Sequence, residues 1–417
     1  MDMHFYKRLI LILLGFVCMG FLLACTTSTP YDVIPAPVTQ ESGDADLAKL
    51  LNSIRFEERL PGLAAVIIFD GKLHSVAAVG VRETGTDNWL TVNDKFLIGS
   101  CTKSFTASLA AVLVDEGVLS WQTTIRDVFP DLEMLPEYEH ITIYQLLSHR
   151  AGLPKNFKGG KTTWLIDYEF DETRGSAPEQ LRCKYAEKTV HHQLIAPPGQ
   201  MVHYSNSGYI LAGAMMEKAT GRTIEDLWTE KIFKPLAISS AGYGPPAALE
   251  PNNQPLGHYW DESSKSFVAY QANCPKFLSP AGHMHITMTD WAKSLLMHLD
   301  SYPINQGSLI KPSTLQKLHT PPDLATWDID IDLGLNYALG WFTKTDENGH
   351  NLIWHGGRGF AFNAQVVADL NEKSAILLVS TAEVPHMHPQ THLLKISEKI
   401  KNHYSGKIEL PSISKKI

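Results

Sequence analysis

The sequence is poor in cysteine, and it lacks a long basic run, an internal repeat and a recognisable metal motif. Five cysteines in 417 residues exclude a small disulfide-stapled scaffold. The net charge of −8 leads us to expect no nucleic-acid partner. The 18 histidines include the close pairs His283/His285 and His386/His388, but no His-Glu-x-x-His motif, so we expect no metal and no cofactor. An apolar content of 44% excludes wholesale disorder.

The N-terminus has the pattern of an export signal. Lys7 and Arg8 precede the apolar run Leu9–Ala24, which is short for a membrane span. The run ends in Leu-Leu-Ala-Cys, which resembles the lipobox of bacterial lipoproteins and implies acylation of Cys25. We therefore expect residues 1–24 to be a lipoprotein signal peptide and the protein to be lipid-anchored in a bacterial cell envelope, facing the periplasm. The alternatives are an ordinary signal peptide or a single anchor helix.

The rest of the chain divides by composition. The segment following Cys25 is rich in Thr, Ser and Pro and has no helical or strand period, so it is predicted to be a tether. The predicted units are the tether at 25–44, the folded body at 45–406 and a tail at 407–417. The folded body is predicted to consist of an α/β part (45–120 and 281–406) and a helical part (121–280).

Strand patterns stand at both ends of the folded body. Ala64–Asp70 and Lys72–Val79 meet at Asp70-Gly71, a strong hairpin signal. Further strands are predicted in the segments YALGWF, NLIWHG, FAFNAQVVADL and SAILLVST, before a closing helix at Gln390–Tyr404. The prediction is an α/β (α+β) fold whose antiparallel sheet is built from both chain termini, flanked by helices, with a mostly helical region inserted.

The first candidate for chemistry is Ser100. It stands three residues before Lys103, at the start of a long apolar helical stretch, so the lysine amine is expected beside the serine hydroxyl. A desolvated lysine there can serve as the base that activates a serine nucleophile. The same Ser-x-x-Lys spacing recurs at Ser308 and Ser412, but neither has an apolar helix behind it, so we expect no catalysis from them.

Two further motifs accompany this pair. Tyr204-Ser205-Asn206 is the only Tyr-x-Asn in the chain; a tyrosine beside a lysine gives up its proton more easily, and Asn206 can orient the lysine and bind a substrate amide. The only His-x-Gly is His355-Gly356-Gly357, at the end of an apolar strand. Its glycines allow close approach of a substrate, and a following backbone N–H can pair with that of Ser100 as an oxyanion hole.

The order and spacing of the three motifs, with 104 and 151 residues between their first members, resemble the serine β-lactamase and penicillin-binding protein superfamily, and within it the class C branch. The segments PGLAAVIIFDGK, ITIYQLLSHRAGLP, SPAGHMHITMTDWA and WHGGRGFAFNA extend the resemblance over most of residues 45–404. The resemblance implies an acylated nucleophile, a base or proton relay, a second proton-transfer residue, a substrate contact, a sheet-edge residue and an oxyanion hole. Ser100 corresponds to the nucleophile, Lys103 to the base or proton relay, and Tyr204 to the second proton-transfer residue. Asn206 corresponds to the substrate contact and His355 to the sheet-edge residue. The backbone amides of Ser100 and Arg358, with Gly357 beside them, correspond to the oxyanion hole.

The histidine motif departs from the Lys-Thr-Gly of the β-lactamases. His-x-Gly is more frequent among D-amino-acid peptidases and esterases of the superfamily, so we expect these substrates to be preferred over penicillins, with Arg358 left as a partial substitute for the missing lysine charge. The alternatives are a true class C-like β-lactamase or DD-carboxypeptidase, and an inactive lipoprotein that binds cell-wall peptide. His149 is predicted to be a structural loop residue, and Cys101 a core thiol.

Overall fold

A seven-stranded antiparallel sheet forms the centre of the fold. A computed structural model describes residues 36–154, 177–250, 253–271, 276–303, 307–322, 326–327, 336–383 and 389–412. The strands there are β1 (Gly62–Phe69), β2 (Lys72–Gly80), β3 (Lys95–Leu97), β4 (Met201–Val202), β5 (Gly242–Tyr243), β6 (Gly257–Asp261), β7 (Ser266–Tyr270), β8 (Met284–Thr287), β9 (Thr326–Trp327), β10 (Asn336–Tyr337), β11 (Phe342–Thr345), β12 (Asn351–Gly359), β13 (Phe362–Asp369) and β14 (Ser374–Ser380). The α-helices are α1 (Ala45–Glu57), α2 (Thr102–Asp115), α3 (Ile125–Val128), α4 (Ile143–Leu147), α5 (Pro178–Thr189), α6 (Asn206–Thr220), α7 (Ile224–Trp228), α8 (Ser279–Gly282), α9 (Met288–His298), α10 (Pro312–His319) and α11 (Pro389–Tyr404).

The large sheet joins the two ends of the chain, as predicted. Its strand order is β10-β11-β12-β13-β14-β1-β2, so the first strand pairs with the last. The predicted hairpin between β1 and β2 is also confirmed. Asp70 and Gly71 both have positive φ values, 49° and 65°, which is the requirement of a type I′ turn.

Side-chain alternation along β1 separates two cores. Ala64, Val66 and Ile68 pack on the side of α2, whereas Leu63, Ala65 and Ile67 pack under α1 and α11. All residues of α2 from Thr102 to Leu113 are buried. This helix is therefore enclosed between the sheet and the helical part, and its N-terminus meets the edge of β12.

The helical part contains α3 to α7 but also strands that sequence analysis missed. The hairpin β6–β7 lies inside the predicted helical range, and β5 joins β3 and β8 in a small sheet. The hairpin is held by the buried His258, which hydrogen-bonds the Thr381 carbonyl and the Thr84 amide. Such long-range contacts leave no trace in local periodicity, so the prediction of a mostly helical insert is incomplete.

The segment YALGWF is not one strand, contrary to the prediction. β10 ends at Tyr337 and β11 starts at Phe342, with a turn between them in which Gly340 has φ +78°. A methyl group built on Gly340 would lie 2.8 Å from the Lys103 carbonyl oxygen. The chain turns here because it packs directly against α2.

The folded body extends beyond both predicted limits. Ala36 is buried and exchanges two hydrogen bonds with the Asn52 side chain, while Gly43 bridges to Ala77 of β2. Leu410 is buried in the core under α11. Packed residues thus lie on both sides of the predicted limits at 44 and 407; single buried residues such as Ala36 and Leu410 carry no periodic signal.

Several predictions lie outside the described residues: the signal peptide, Cys25 and the pair His386/His388. Within the part of the chain that the structure describes, no helix has the length and apolarity needed to cross a membrane.

Candidate active site

Ser100 lies in a single 3₁₀ turn, Gly99–Cys101, that leads directly into α2. Gly99 takes a positive φ of 51°, which an L side chain rarely adopts, and so allows the chain to turn from β3 into the helix. The Nζ atom of Lys103, one turn later, lies 3.1 Å from Ser100 Oγ. The predicted contact between this serine and lysine is thus present.

Lys103 is fully buried and has two further partners. Its Nζ lies 2.8 Å from Asn206 Oδ1 and also contacts the Ala281 carbonyl oxygen. Burial lowers the pKa of Lys103 well below its ordinary value. A neutral amine has two N–H groups and one lone pair; because both other partners are carbonyl-type oxygens that only accept, the lone pair is left for the Ser100 hydroxyl. The arrangement suits a base.

Tyr204 completes a cluster with this pair. Its ring centroid lies 4.8 Å from Lys103 Nζ, and the Ser100 side chain acts to lower the Tyr204 pKa. Burial raises the pKa of Tyr204 above its ordinary value. This direction is opposite to the expectation that Tyr204 loses its proton more easily beside the lysine, because burial has the largest effect on the Tyr204 pKa. A neutral phenol can still receive one proton while it passes on another.

The start of α6 places both Tyr204 and Asn206. Ser205 is the N-cap, and its Oγ accepts a hydrogen bond from Gly208 N and donates one to the Pro154 carbonyl. Asn206 is the first residue of the helix and points its Oδ1 at Lys103. One capped helix start therefore positions two of the predicted site residues.

His355 is buried on β12, on the side of the sheet that faces α2. Its Nδ1 lies 2.8 Å from the Gly356 carbonyl oxygen, so this nitrogen must carry the proton and donate. Its Nε2 then accepts from the Tyr337 hydroxyl at 3.2 Å. Burial, together with the nearby Lys103, lowers the pKa of His355 to about 3. His355 is therefore a neutral, doubly hydrogen-bonded residue and supplies no positive charge.

The end of β12 packs on the nucleophile turn through its glycines. A methyl group built on Gly357 would lie 1.9 Å from the Ile98 carbonyl oxygen and 3.1 Å from Ser100 N. A methyl group on Gly99 would lie 2.4 Å from Arg358 N. The backbone amides of Ser100 and Arg358 thus belong to one tight junction, as an oxyanion hole requires.

The buried side chain of Cys101 contacts the same junction. Its Sγ lies 3.5 Å from the His355 carbonyl oxygen, and burial raises the pKa of this thiol. A buried thiol with a raised pKa is not a nucleophile at neutral pH, which agrees with the prediction of a core thiol.

Arg358 departs from the role assigned to its side chain. Its guanidinium forms an ion pair with Glu383, which raises the pKa of the arginine. The positive charge expected to substitute for the missing lysine is therefore already compensated.

The other Ser-x-x-Lys motifs do not form comparable sites. Ser308 is exposed, and Lys311 binds the backbone and side chain of Asp115. The Ser412 hydroxyl instead hydrogen-bonds Glu398. Among the residues described, no group of three metal-binding side chains comes together.

Three contributors to the site were missed from the sequence. The Ala281 carbonyl is a backbone group and gives no residue-type signal. Tyr337 lies in the segment YALGWF, which was predicted only as a strand, and its hydroxyl hydrogen-bonds His355. His149, predicted to be structural, packs its ring 4.3 Å from that of Tyr204. The motif ITIYQLLSHRAGLP was the available signal for this last residue.

The fold and this serine–lysine–tyrosine arrangement define a serine hydrolase of the β-lactamase type. The family model described as Beta-lactamase matches residues 45–398, and the chain belongs to that family. Penicillin-binding protein 4 of Amycolatopsis lactamdurans is 26% identical over 296 residues, which are 70% of this chain and 73% of that protein. Unguisins hydrolase ungD' of Aspergillus campestris is 25% identical over 344 residues, 79% of this chain but only 60% of that protein.

Solved structures share the fold. The octameric penicillin-binding protein homologue from Pyrococcus abyssi matches with a TM-score of 0.68 and 24% identity over 88% of this chain and 80% of that chain. The D-alanine carboxypeptidase AmpC from Burkholderia cenocepacia has a TM-score of 0.65 and 17% identity over 86% of this chain and 97% of that chain. The predicted superfamily and fold class are thereby confirmed.

Proposed function

We propose that this protein hydrolyses esters or amides through an acyl-enzyme on Ser100, and that its preferred substrates are small esters or short D-configured peptides. The observation that carries the proposal is the environment of Lys103, whose neutral amine faces the serine while two carbonyl oxygens hold its N–H groups. No metal or cofactor is invoked.

The reaction begins when the Lys103 lone pair takes the Ser100 hydroxyl proton while Oγ bonds to the substrate carbonyl carbon. The carbonyl oxygen becomes an oxyanion that accepts from the amides of Ser100 and Arg358. The proton then passes from the lysine through the Tyr204 hydroxyl to the leaving group, and the bond to that group breaks. Water repeats the sequence on the acyl-enzyme, which releases the acid and restores the serine.

The charge of the site supports the choice of substrate. His355 is neutral, and Arg358 is paired with Glu383. A substrate carboxylate of the type found in penicillins and D-Ala-D-Ala peptides would therefore meet little uncompensated positive charge from these residues. Gly356 also offers no hydroxyl for such a carboxylate. The unguisins hydrolase among the relatives adds support for hydrolysis beyond β-lactams.

The proposal includes an envelope location. The sequence around Cys25 supports acylation of that cysteine, with the folded body held on the periplasmic side of a bacterial membrane by its lipid.

A comparison of substrates tests the proposed specificity. We expect kcat/KM to be higher for p-nitrophenyl butyrate and for a D-alanyl amide than for nitrocefin. A preference for nitrocefin by about tenfold, or roughly 1.4 kcal/mol in transition-state binding, would overturn the proposal.

A further inference from the structure

His149 occupies a backbone position that normally belongs to glycine. It comes just after Ser148, the C-cap of α4, and has φ +58°. His149 N bonds to the Leu146 carbonyl, and Arg150 N bonds to the Gln145 carbonyl at 2.7 Å, which together make a Schellman cap. Glycine would form this cap without strain, so the cap itself gives no reason for a histidine.

Among the described residues, the imidazole has one hydrogen bond, which joins it to the loop that holds Tyr204. His149 Nδ1 accepts from Ser205 N at 3.1 Å, and the backbone adds a bond from His203 N to the His149 carbonyl at 2.8 Å. Because Nδ1 accepts, the proton of the neutral ring is on Nε2. Nε2 is buried and, among the described residues, has no hydrogen-bond partner.

The ring also fills the space behind the tyrosine. Its centroid lies 4.3 Å from that of Tyr204 and 4.5 Å from that of Tyr337, and the side chain is 2% exposed. Burial, followed by the neighbouring Lys103 and His355, lowers the pKa of His149 well below its ordinary value. A strained backbone is unfavourable, and so is an N–H without a partner among the described residues; both occur at a residue that touches the candidate proton relay.

We propose that His149 is a positioning residue: through its hydrogen bond to the Ser205 amide, it fixes the Tyr204 hydroxyl beside Ser100 and Lys103. It does not itself exchange protons with the substrate. The inference rests on the proposed acyl transfer at Ser100, and it adds a residue that sets the rate of that step without contacting the substrate.

Substitutions at position 149 distinguish the contribution of the hydrogen bond from that of the ring packing. His149→Asn retains an acceptor near the position of Nδ1, and asparagine tolerates positive φ. His149→Phe keeps a ring but loses the acceptor, and His149→Ala loses both. His140→Asn is the matched control, because His140 is exposed in the turn just before α4. For each variant we would measure the p-nitrophenol burst, kcat and KM with p-nitrophenyl butyrate, and Tm.

We expect kcat to fall about 10- to 100-fold in the Ala and Phe variants with KM within about twofold, since a small displacement of a proton relay has effects of this size. His149→Asn should recover kcat to within about threefold of wild type. A lower Tm with unchanged kcat in all variants would show that His149 has only a structural role and would overturn the inference. An active Phe variant together with an inactive Asn variant would also overturn it, because the hydrogen bond would then not be what matters. A wild type without any burst or turnover would instead overturn the proposed function itself.

Discussion

Arg358 and Glu383 form an ion pair at the end of β12, beside the turn that carries Ser100. The arginine side chain is 51% exposed, so it borders the solvent side of the site, while the glutamate is less exposed at 23%. The backbone of Glu383 is held by a bond from its amide to the His258 carbonyl. The two charges compensate each other, so the arginine offers little net positive charge on this side of the site.

Glu383→Gln should release that charge. We expect kcat/KM for 3-carboxyphenyl acetate to rise about five- to tenfold relative to phenyl acetate, because a free guanidinium forms a charge-assisted hydrogen bond with the carboxylate. The increase should diminish at high salt. Glu372→Gln, which removes an equal charge in the turn between β13 and β14, is the control. Equal changes for both substrates would show that Glu383 does not select by charge.

Ser100→Ala should abolish labelling by a fluorophosphonate and all turnover while it leaves Tm nearly unchanged, because it removes one oxygen atom from the nucleophile. Ser308→Ala is the matched control from the second Ser-x-x-Lys motif and should behave as wild type. Intact-mass measurement after labelling shows which of the proteins carries the fluorophosphonate group. Residual labelling of the Ser100→Ala protein would place the nucleophile elsewhere.

The parts of the fold that could be predicted depend on local pattern. The β1–β2 hairpin follows from alternating apolar residues and an Asp-Gly turn, and the buried α2 from its run of small and apolar residues. The hairpin β6–β7 could not be predicted in the same way, because it is fixed by His258 to Thr381, far away in sequence. The break in YALGWF likewise depends on contact with α2.

For the site, too, local contacts could be predicted from the sequence and long-range ones could not. The Ser100–Lys103 contact lies within one turn and could be predicted from spacing. The lowered pKa of Lys103 and the raised pKa of Tyr204 both result from burial by distant segments, which local sequence patterns do not reveal. Pairing of Arg358 with Glu383, 25 residues later, was missed for the same reason.

The lipid anchor is tested at Cys25. Wild-type protein expressed in a bacterium should incorporate an alkynyl fatty acid and sediment with membranes, because its acyl chains partition into the bilayer. Cys25→Ser should take up no label. Cys183→Ser, which removes an exposed thiol of the folded body, is the control and should label as wild type does. A wild type without label would contradict the lipobox interpretation.

His298 and His319 share a hydrogen bond behind α2. His298 Nδ1 lies 3.0 Å from His319 Nε2, and His298 Nε2 lies 3.2 Å from Ser108 Oγ. A contact between two ring nitrogens needs one donor and one acceptor, so the two rings cannot both be protonated without opposing N–H groups. Burial lowers the pKa of His319 to about 4 and that of His298 well below its ordinary value of 6.5.

The free energy of unfolding should therefore depend on pH in the acid range. Both histidines bind protons more readily in the unfolded chain than in the folded one. Their contribution to the free energy of unfolding is therefore complete above about pH 6.5 and is lost as the pH falls from there toward about 4. Because His319 is only partly buried, we expect His319→Gln to reduce the loss between pH 7 and pH 5 by about 1 kcal/mol rather than by the full value of its pKa shift. Urea unfolding of wild type, His319→Gln and the exposed-site control His140→Gln at both pH values measures this difference. If the His319→Gln protein loses as much stability as the wild type, the histidine pair is not an acid-sensitive element of the fold.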